Sequence, residues 1–433
     1  MREFEGRKLL ILGGNAETVP LVKIANDWGI KTIVASAGKT DPAKKHAWKA
    51  YDYEGLDVEA VIGIGRDEAV DGVLVGVADI LVPMYQRVCE ALGLPCYATR
   101  QIVDVFSYKD VFKAVCEEYG VHGVPQFRLD REMKREDLDR IVYPVMVKPV
   151  DNGGGVGMTL AYQEEDLRRG VATALKASHS GRFIVERYMQ CDDMGMYYTF
   201  KDGYCSASCI YDRYTTDRQP GLSRVCLGGT YPSRHLDAYF ERMHPQMLRL
   251  FEKIGIRNGV LMLSGFYEKG EFYVYDTGFR LQGEAPHLIM KAIHGFDQRE
   301  MLIRFALTGS EGDMDLAARD DARLRGKWAA TLWFLLKAGR IGRITGLDRL
   351  GEDPRVVAGM QRLGEGDEVL PQWIGNEKQV LARLHLVCDS RAELSGTLKH
   401  YMKSVRVLDA EGKNMLLEGF DVDRALEGYG KNG

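Results

Sequence analysis

Residues 145–161 read "VMVKPVDNGGGVGMTLA". An apolar run carries one lysine, Lys148, and is followed by Gly153, Gly154, Gly155 and Gly157. Glycine loses more conformational freedom on folding than any other residue, so this density needs a reason. Consecutive glycines let backbone N–H groups approach an anion with no side chain in the way. The alternation in "MVKP" sets Lys148 on one face of a strand, and a lysine turned into a protein needs a charge partner. A phosphate chain supplies one. The loop is not G-x-x-x-x-G-K-[ST], because its lysine precedes the glycines. The competing interpretation is a hairpin tip after a lysine that reaches solvent.

The flanking segments carry matching chemistry. "SYKDVFKAVCEEYGV" (107–121) has helical periodicity, with Ser107 as its cap, Val111, Phe112, Val115 and Tyr119 as its core face, Gly120 as its stop and Lys109 in its first turn. In "FIVERYMQCDDMGMYY" (183–198) an apolar strand runs into Glu186, Arg187 and Tyr188, with Asp193 beyond. A strand edge followed by a carboxylate and backbone groups suits an adenine edge, and Asp193 suits ribose hydroxyls; solvated surface acids are the plainer interpretation of both. "EFYVYDTGFRLQGEAPH" (271–287) alternates down to Asp276, with Arg280 and Glu284 in the next turn. A carboxylate for Mg²⁺ and an arginine for a moving phosphoryl group are what phosphate chemistry requires.

The N-terminal hundred residues alternate strand and helix. "KLLILGGN" (8–15), "KTIVAS" (31–36) and "DGVLVGV" (71–77) read as strands, "TVPLVKIANDWG" (18–29) and "DILVPMYQRVCEALG" (79–93) as helices, and "LPCYAT" (94–99) as the approach to a fourth strand. This predicts a small open parallel sheet. "GGN" is not G-x-G-x-x-G and no acid ends the second strand, so a dinucleotide site is not expected. Further on, helices are expected near 164–177, 237–255, 286–308 and 390–405, with a linker at 307–315. "WAATLWFLL" (328–336) is about half of the ~20 residues a membrane span needs and is expected to be a buried helix.

The 433 residues are 45% hydrophobic and 28% charged with a net charge of −4, which argues against general attraction to nucleic acid or anionic membranes. The eight cysteines are scattered, and Cys205 and Cys209 lack the spacing of a zinc or redox motif, so a reduced, cytoplasmic setting is expected. The opening "MREFEGRKLLILGG" has too short an apolar run for a signal peptide.

Taken in order, Lys109 in "YKDVFK", Lys148 in "VKP", "GGGVG", "VERY" and "DTGFRLQG" resemble the ATP-grasp superfamily. "KAGRIGRITGLDRLGEDPRVV" and "QVLARLHLVCDS" are similar to the C-terminal domain of its biotin-carboxylase-like and amino-acid-ligase-like members. The resemblance implies a mixed α/β and α+β chain: a parallel-sheet pre-ATP-grasp domain over 1–100, an ATP-grasp domain over 101–315 (small subdomain about 105–185, large about 186–315) and a C-terminal α+β domain over 316–433. It implies ATP with Mg²⁺ or Mn²⁺ as cofactors. Lys109 and Lys148 would hold the α- and β-phosphates, and Gly153 to Gly157 would close over the triphosphate. Glu186 with the backbone of Arg187 and Tyr188 would hold adenine, Asp193 the ribose, Asp276 the metal, and Arg280 the transferred phosphoryl group.

The implied activity is joining a carboxylate to an amine through an acyl phosphate, with ADP and phosphate released. The alternatives are a regulatory nucleotide-binding protein, or a carboxylase or phosphotransferase on the same fold. Neither nucleic acid nor a membrane is expected as partner; a homodimer is the candidate assembly. The family pattern Glu-x-Asn-x-Arg appears here as Asp276-Thr277-Gly278-Phe279-Arg280, and Ser264 stands at the upstream ligand position. Glu284 is therefore a second metal candidate beside Asp276, or else orients Arg280 or an incoming amine. The segment 211–237, with Arg213, Arg218, Arg224, Arg234 and His235, is the expected contributor to acid binding, or an exposed polar loop.

Overall fold

The computed structural model describes residues 2–153, 155–217, 224–427 and 429. Among the described residues there are four sheets with helices packed against them.

The first sheet is parallel, with strands in the order Lys49–Asp52, Lys31–Ser36, Lys8–Leu12 and Gly72–Val75. Its inner strands are near-continuous apolar runs because helices cover both faces of such sheets; Leu9, Leu10, Ile11 and Leu12 are fully buried. Helices Val19–Asp27 and Val82–Leu92 each have a proline in the first turn, where a missing N–H is harmless, and Gly93 ends the second in the left-handed region at φ 65°. The fourth strand is not at 94–99 but at Lys49–Asp52, a largely exposed edge without an apolar run to betray it. Residues 94–99 instead form a connection whose Tyr97 packs on Tyr85 (4.9 Å between centroids) and Phe279 (5.7 Å), tying the first sheet to the rest.

A small antiparallel sheet follows, in the order Gln126–Phe127, Phe183–Arg187, Val145–Pro149, Thr159–Ala161. Helix Glu164–Ala177 covers it with Leu167, Val171 and Ala174. The glycine loop is the turn between Val145–Pro149 and Thr159–Ala161. Helix Lys109–Glu118 starts later than expected: Tyr108, not Ser107, is its N-cap, with no side-chain cap bond. Its buried side chains are Phe112, Lys113 and Cys116, whereas Val111 and Val115 are only half-buried. The apolar periodicity misleads because a buried lysine sits on the core face.

The large sheet is antiparallel with eight strands: Glu271–Gly278, Gly259–Glu268, Asp192–Lys201, Tyr204–Thr215, Cys226–Tyr231, Trp328–Leu335, Val380–Cys388 and Val356–Gln361. It runs without a break across position 316. The expected helix at 328–336 is a strand, Trp328–Leu335, with every residue buried. A short continuous apolar run has no periodicity to separate a strand covered on both faces from a buried helix. Arg383 stacks its guanidinium 3.9 Å from the centre of the Trp333 ring, and both are inside. A three-stranded sheet (Glu368–Val369, Gly339–Thr345, Arg406–Asp409) and helix Arg391–Ser404 complete the chain. Residues 307–315 are more than a spacer: Glu311 is buried and accepts the Gly259 N–H at 3.2 Å. Among the described residues no helix is long and apolar enough to cross a membrane.

Candidate active site

Strand pairing in the small sheet sets Met146 opposite Glu186 and Lys148 opposite Ile184. Lys148 Nζ reaches Glu186 Oε2 at 2.6 Å, and Lys113, one turn beyond Lys109 in its helix, pairs with Glu186 Oε1. All three are at least 93% buried at the side chain. Lys113 also donates to the Val124 carbonyl at 2.8 Å. Burial pushes the Glu186 carboxyl up, but the two lysines outweigh it and hold the group below its ordinary range. Burial lowers Lys113 despite Glu186. Two ammonium groups thus share one carboxylate, leaving a positive excess that burial makes expensive unless an anion joins it. Lys148 also sits 5.2 Å above the Tyr275 ring, so it faces the large sheet.

A second group lies where the first sheet, the small sheet and the large sheet meet. Lys109 Nζ pairs with Asp276 at 2.8 Å and donates to the Asn152 carbonyl at 3.0 Å, at the base of the glycine loop. Arg280 pairs with Asp79, in the short turn that follows strand Gly72–Val75 of the first sheet, and donates to the Leu281 carbonyl at 2.7 Å. Burial lowers Lys109, while Asp276, Asp79 and Glu186 raise it, for a net rise. Arg280 follows the same pattern, with Asp79 the main counterweight to burial. Lys109, Asp276, Asp79, Asn152 and Gly153 line a cavity of about 220 Å³.

A third group is held by Arg213, whose guanidinium lies 2.7 Å from Glu284 and 3.6 Å from Asp193. Tyr211 donates to Glu284 at 2.9 Å, Gln282 to the Tyr211 hydroxyl at 2.6 Å, and Tyr275 to Asp193 at 3.1 Å. Burial raises the Asp193 carboxyl despite Arg213.

The glycine loop leans on its surroundings. Gly155 and Gly157 have φ of 78° and 75°, and a Cβ on Gly157 would lie 2.5 Å from that of Ala177. Asn152 donates to the Ala177 carbonyl at 3.0 Å. Gly154 and Arg218 lie outside the described residues.

The chain that carries this site is similar in sequence and fold to known proteins. Residues 108–310 match the family described as carbamoyl-phosphate synthase L chain, ATP binding domain. These residues are an ATP-grasp domain. Over 327 residues the chain is 21% identical to a pyruvate carboxylase subunit of Methanothermobacter thermautotrophicus, covering 69% of this chain and 64% of that protein. It therefore spans less than two thirds of that relative. L-amino acid ligase from Bacillus licheniformis superposes with a TM-score of 0.74 at 16% identity, covering 94% of this chain and 99% of the other. The biotin carboxylase domain dimer of Hydrogenobacter thermophilus 2-oxoglutarate carboxylase, in complex with MgADP, ADP and bicarbonate, superposes with a TM-score of 0.73 at 17% identity, covering 94% of this chain and 91% of that one.

Of the expected residues, Lys148 and Glu186 fall in the first group, Lys109, Asp276 and Arg280 in the second, and Asp193 and Glu284 in the third. Glu186 is already engaged by two lysines. The Arg187 and Tyr188 N–H groups donate to the Pro125 (2.8 Å) and Pro144 (3.2 Å) carbonyls. Asp276 and Glu284 sit in different charge networks, one on Lys109 and one on Arg213. Among the described residues no group of three or more His, Cys, Asp or Glu is arranged to hold a metal. Ser264 is the cross-strand neighbour of Asp276. Of the 211–237 segment, Arg213 faces Glu284, whereas Arg234 pairs with Asp212 at 3.0 Å and His235 with Asp192 at 2.8 Å. Sequence reasoning missed Lys113, Asp79, Tyr211, Tyr275 and Gln282. Only Lys113 left a signal, as a lysine one helical turn after Lys109 amid apolar residues.

Proposed function

We propose that this chain is an ATP-dependent, ADP-forming ligase that activates a carboxylate as an acyl phosphate for attack by an amine. The observation that carries this is the buried Lys113–Glu186–Lys148 cluster, whose positive excess includes a lysine on the strand that leads into the glycine loop. A mere fold has no use for two lysines on one buried carboxylate; a polyphosphate does.

Lys109 and Lys148 would take the α- and β-phosphates, with Gly153, Gly155 and Gly157 closing over them. Lys109 must then leave Asp276, which frees that carboxylate for a divalent cation. Magnesium commonly binds through one or two carboxylates, phosphate oxygens and water, and Asp276 beside the lysines fits that donor set. When bound, the cation neutralises charge on the phosphates. Adenine would rest near Glu186 to Tyr188. Asp193 would face ribose, although its link to Arg213 and Tyr275 also allows it to shape the acid site.

Arg280 would stabilise the phosphoryl group as a carboxylate oxygen attacks the γ-phosphorus and ADP leaves. The amine nitrogen then attacks the acyl carbon, phosphate departs and the nitrogen loses a proton. Arg213 would hold the acid. Glu284, held by Arg213 and Tyr211, would accept the amine proton, and Asp276 is the stronger metal candidate of the two.

A carboxylase is the second reading, favoured by the breadth of similarity to the pyruvate carboxylase chain. The acid would then be bicarbonate, the anion present in the complex of the 2-oxoglutarate carboxylase domain. One screen separates the two: ADP release with pooled carboxylic acids and amines, products identified by mass spectrometry, against ADP release with bicarbonate alone. Dependence on both pools supports the ligase; dependence on bicarbonate without an amine supports the carboxylase. The dimeric state of the 2-oxoglutarate carboxylase domain supports a homodimer here, checked by light scattering.

A further inference from the structure

Position 278 has no side chain, and the space is filled from another part of the chain. A Cβ built on Gly278 would lie 2.2 Å from Asp79 Oδ1, so no other residue fits while Asp79 is there. Asp79 follows strand Gly72–Val75 and reaches over from the first sheet. Positions 276 and 278 of strand Glu271–Gly278 project to the same face, roughly 6–7 Å apart. The Asp79 carboxylate therefore stands beside Asp276 where a side chain two residues along would stand.

Its oxygens are not equivalent. Oδ2 pairs with Arg280 and would lie 3.3 Å from a Cβ on Gly153. Oδ1 is closed off from solvent and has no hydrogen-bond partner. Arg280 fixes the orientation of this carboxylate, in the way outer partners orient metal-binding groups, and leaves Oδ1 unpaired beside position 278. Asp79 and Asp276 line the same cavity with Lys109 and Gly153, so both meet the proposed phosphate end.

We infer that Asp79 is a ligand, with Asp276, for the divalent cation that accompanies the nucleotide, and that it supplies from the first sheet the donor Gly278 lacks. This rests on the nucleotide reading above.

The test is Mn²⁺ binding by electron paramagnetic resonance in the presence of ADP, with ADP affinity measured separately in EDTA. Asp79→Asn keeps an acceptor for Arg280 and removes the charge. It is expected to weaken Mn²⁺ at least tenfold, as does Asp276→Asn, while ADP affinity in EDTA does not fall, because the change removes a negative charge beside the proposed phosphate site. The pair Asp79→Gly with Gly278→Asn moves a donor to position 278 and is expected to bind Mn²⁺ at least tenfold better than Asp79→Gly alone; it also serves if Asp79→Asn folds poorly. Mn²⁺ affinity within threefold of wild type for Asp79→Asn, or no gain in the pair, overturns the inference and leaves Asp79 as a partner of Arg280 only. Wild type that binds no ADP in either condition overturns the nucleotide reading along with it.

Discussion

Lys148 Nζ lies 2.6 Å from Glu186 Oε2 across two antiparallel strands, and both side chains are shut away from solvent. Lys113 shares the same carboxylate. The two lysines are therefore not interchangeable with their partner. Lys148→Ala still leaves Glu186 paired with Lys113, so the fold should persist while nucleotide affinity falls by about 2–5 kcal/mol, the scale for removing one partner of a buried charge pair. Glu186→Ala strands two ammonium groups and should lower stability by roughly 3–5 kcal/mol. Calorimetric ADP titration and thermal melting of both variants check this. Unchanged ADP affinity in Lys148→Ala sinks its role.

Acid should loosen the same cluster. The Glu186 carboxyl is held low in the folded chain, so its contribution is present above the ordinary carboxylate pKa of about 4.3. It is lost as pH falls through the folded value. Denaturant midpoints measured downward from pH 6 should fall less steeply for Glu186→Gln than for wild type.

Glu311 works in the other direction. Burial pushes its carboxyl up to about 8, against the hydrogen bond from Gly259. A group that binds its proton more tightly when folded favours the fold below its unfolded pKa, and that advantage is lost as pH rises to the folded value. Stability should decline between about pH 4.5 and 8 by on the order of a few kcal/mol. Glu311→Gln should flatten that decline. Equal slopes for the variant and wild type in urea melts would remove Glu311 as the cause.

The glycine loop should separate stability from turnover position by position. Gly157→Ala puts a Cβ 2.5 Å from Ala177 at a φ of 75°, so it should lower the melting temperature. Gly153→Ala meets only Asp79 Oδ2, at 3.3 Å, and should act mainly on nucleotide turnover. Amide exchange over 151–158 should slow when ADP and Mg²⁺ are added, as for lids that close on substrate. Equal exchange in both states contradicts a lid.

What the sequence revealed was what lies close along the chain. Lys148, the glycine loop, Asp276 and Arg280 are legible because a strand, a turn and a strand end impose their spacing locally. Partners are not local: Arg280 finds Asp79 at a separation of 201 residues, and Lys113 finds Glu186 at 73. Glu284 looks like a companion of Asp276 eight residues away, yet it is bound to Arg213. The strand Trp328–Leu335 reads as a helix because covering on both faces erases the alternation that marks a half-exposed strand. Trp333→Ala, beneath Arg383, should lower stability by about 3–5 kcal/mol; a change below about 1 kcal/mol in denaturant unfolding would contradict the packing described.

The central claim is that a carboxylate oxygen attacks the γ-phosphorus of ATP. The most direct measurement labels the carboxyl oxygens of the acid selected by the screen with ¹⁸O and examines the released phosphate by mass spectrometry. An acyl phosphate intermediate carries one ¹⁸O into each phosphate released with product. Unlabelled phosphate, formed at the same rate as ADP, would mean that water and not the acid takes the phosphoryl group, and would contradict the ligase.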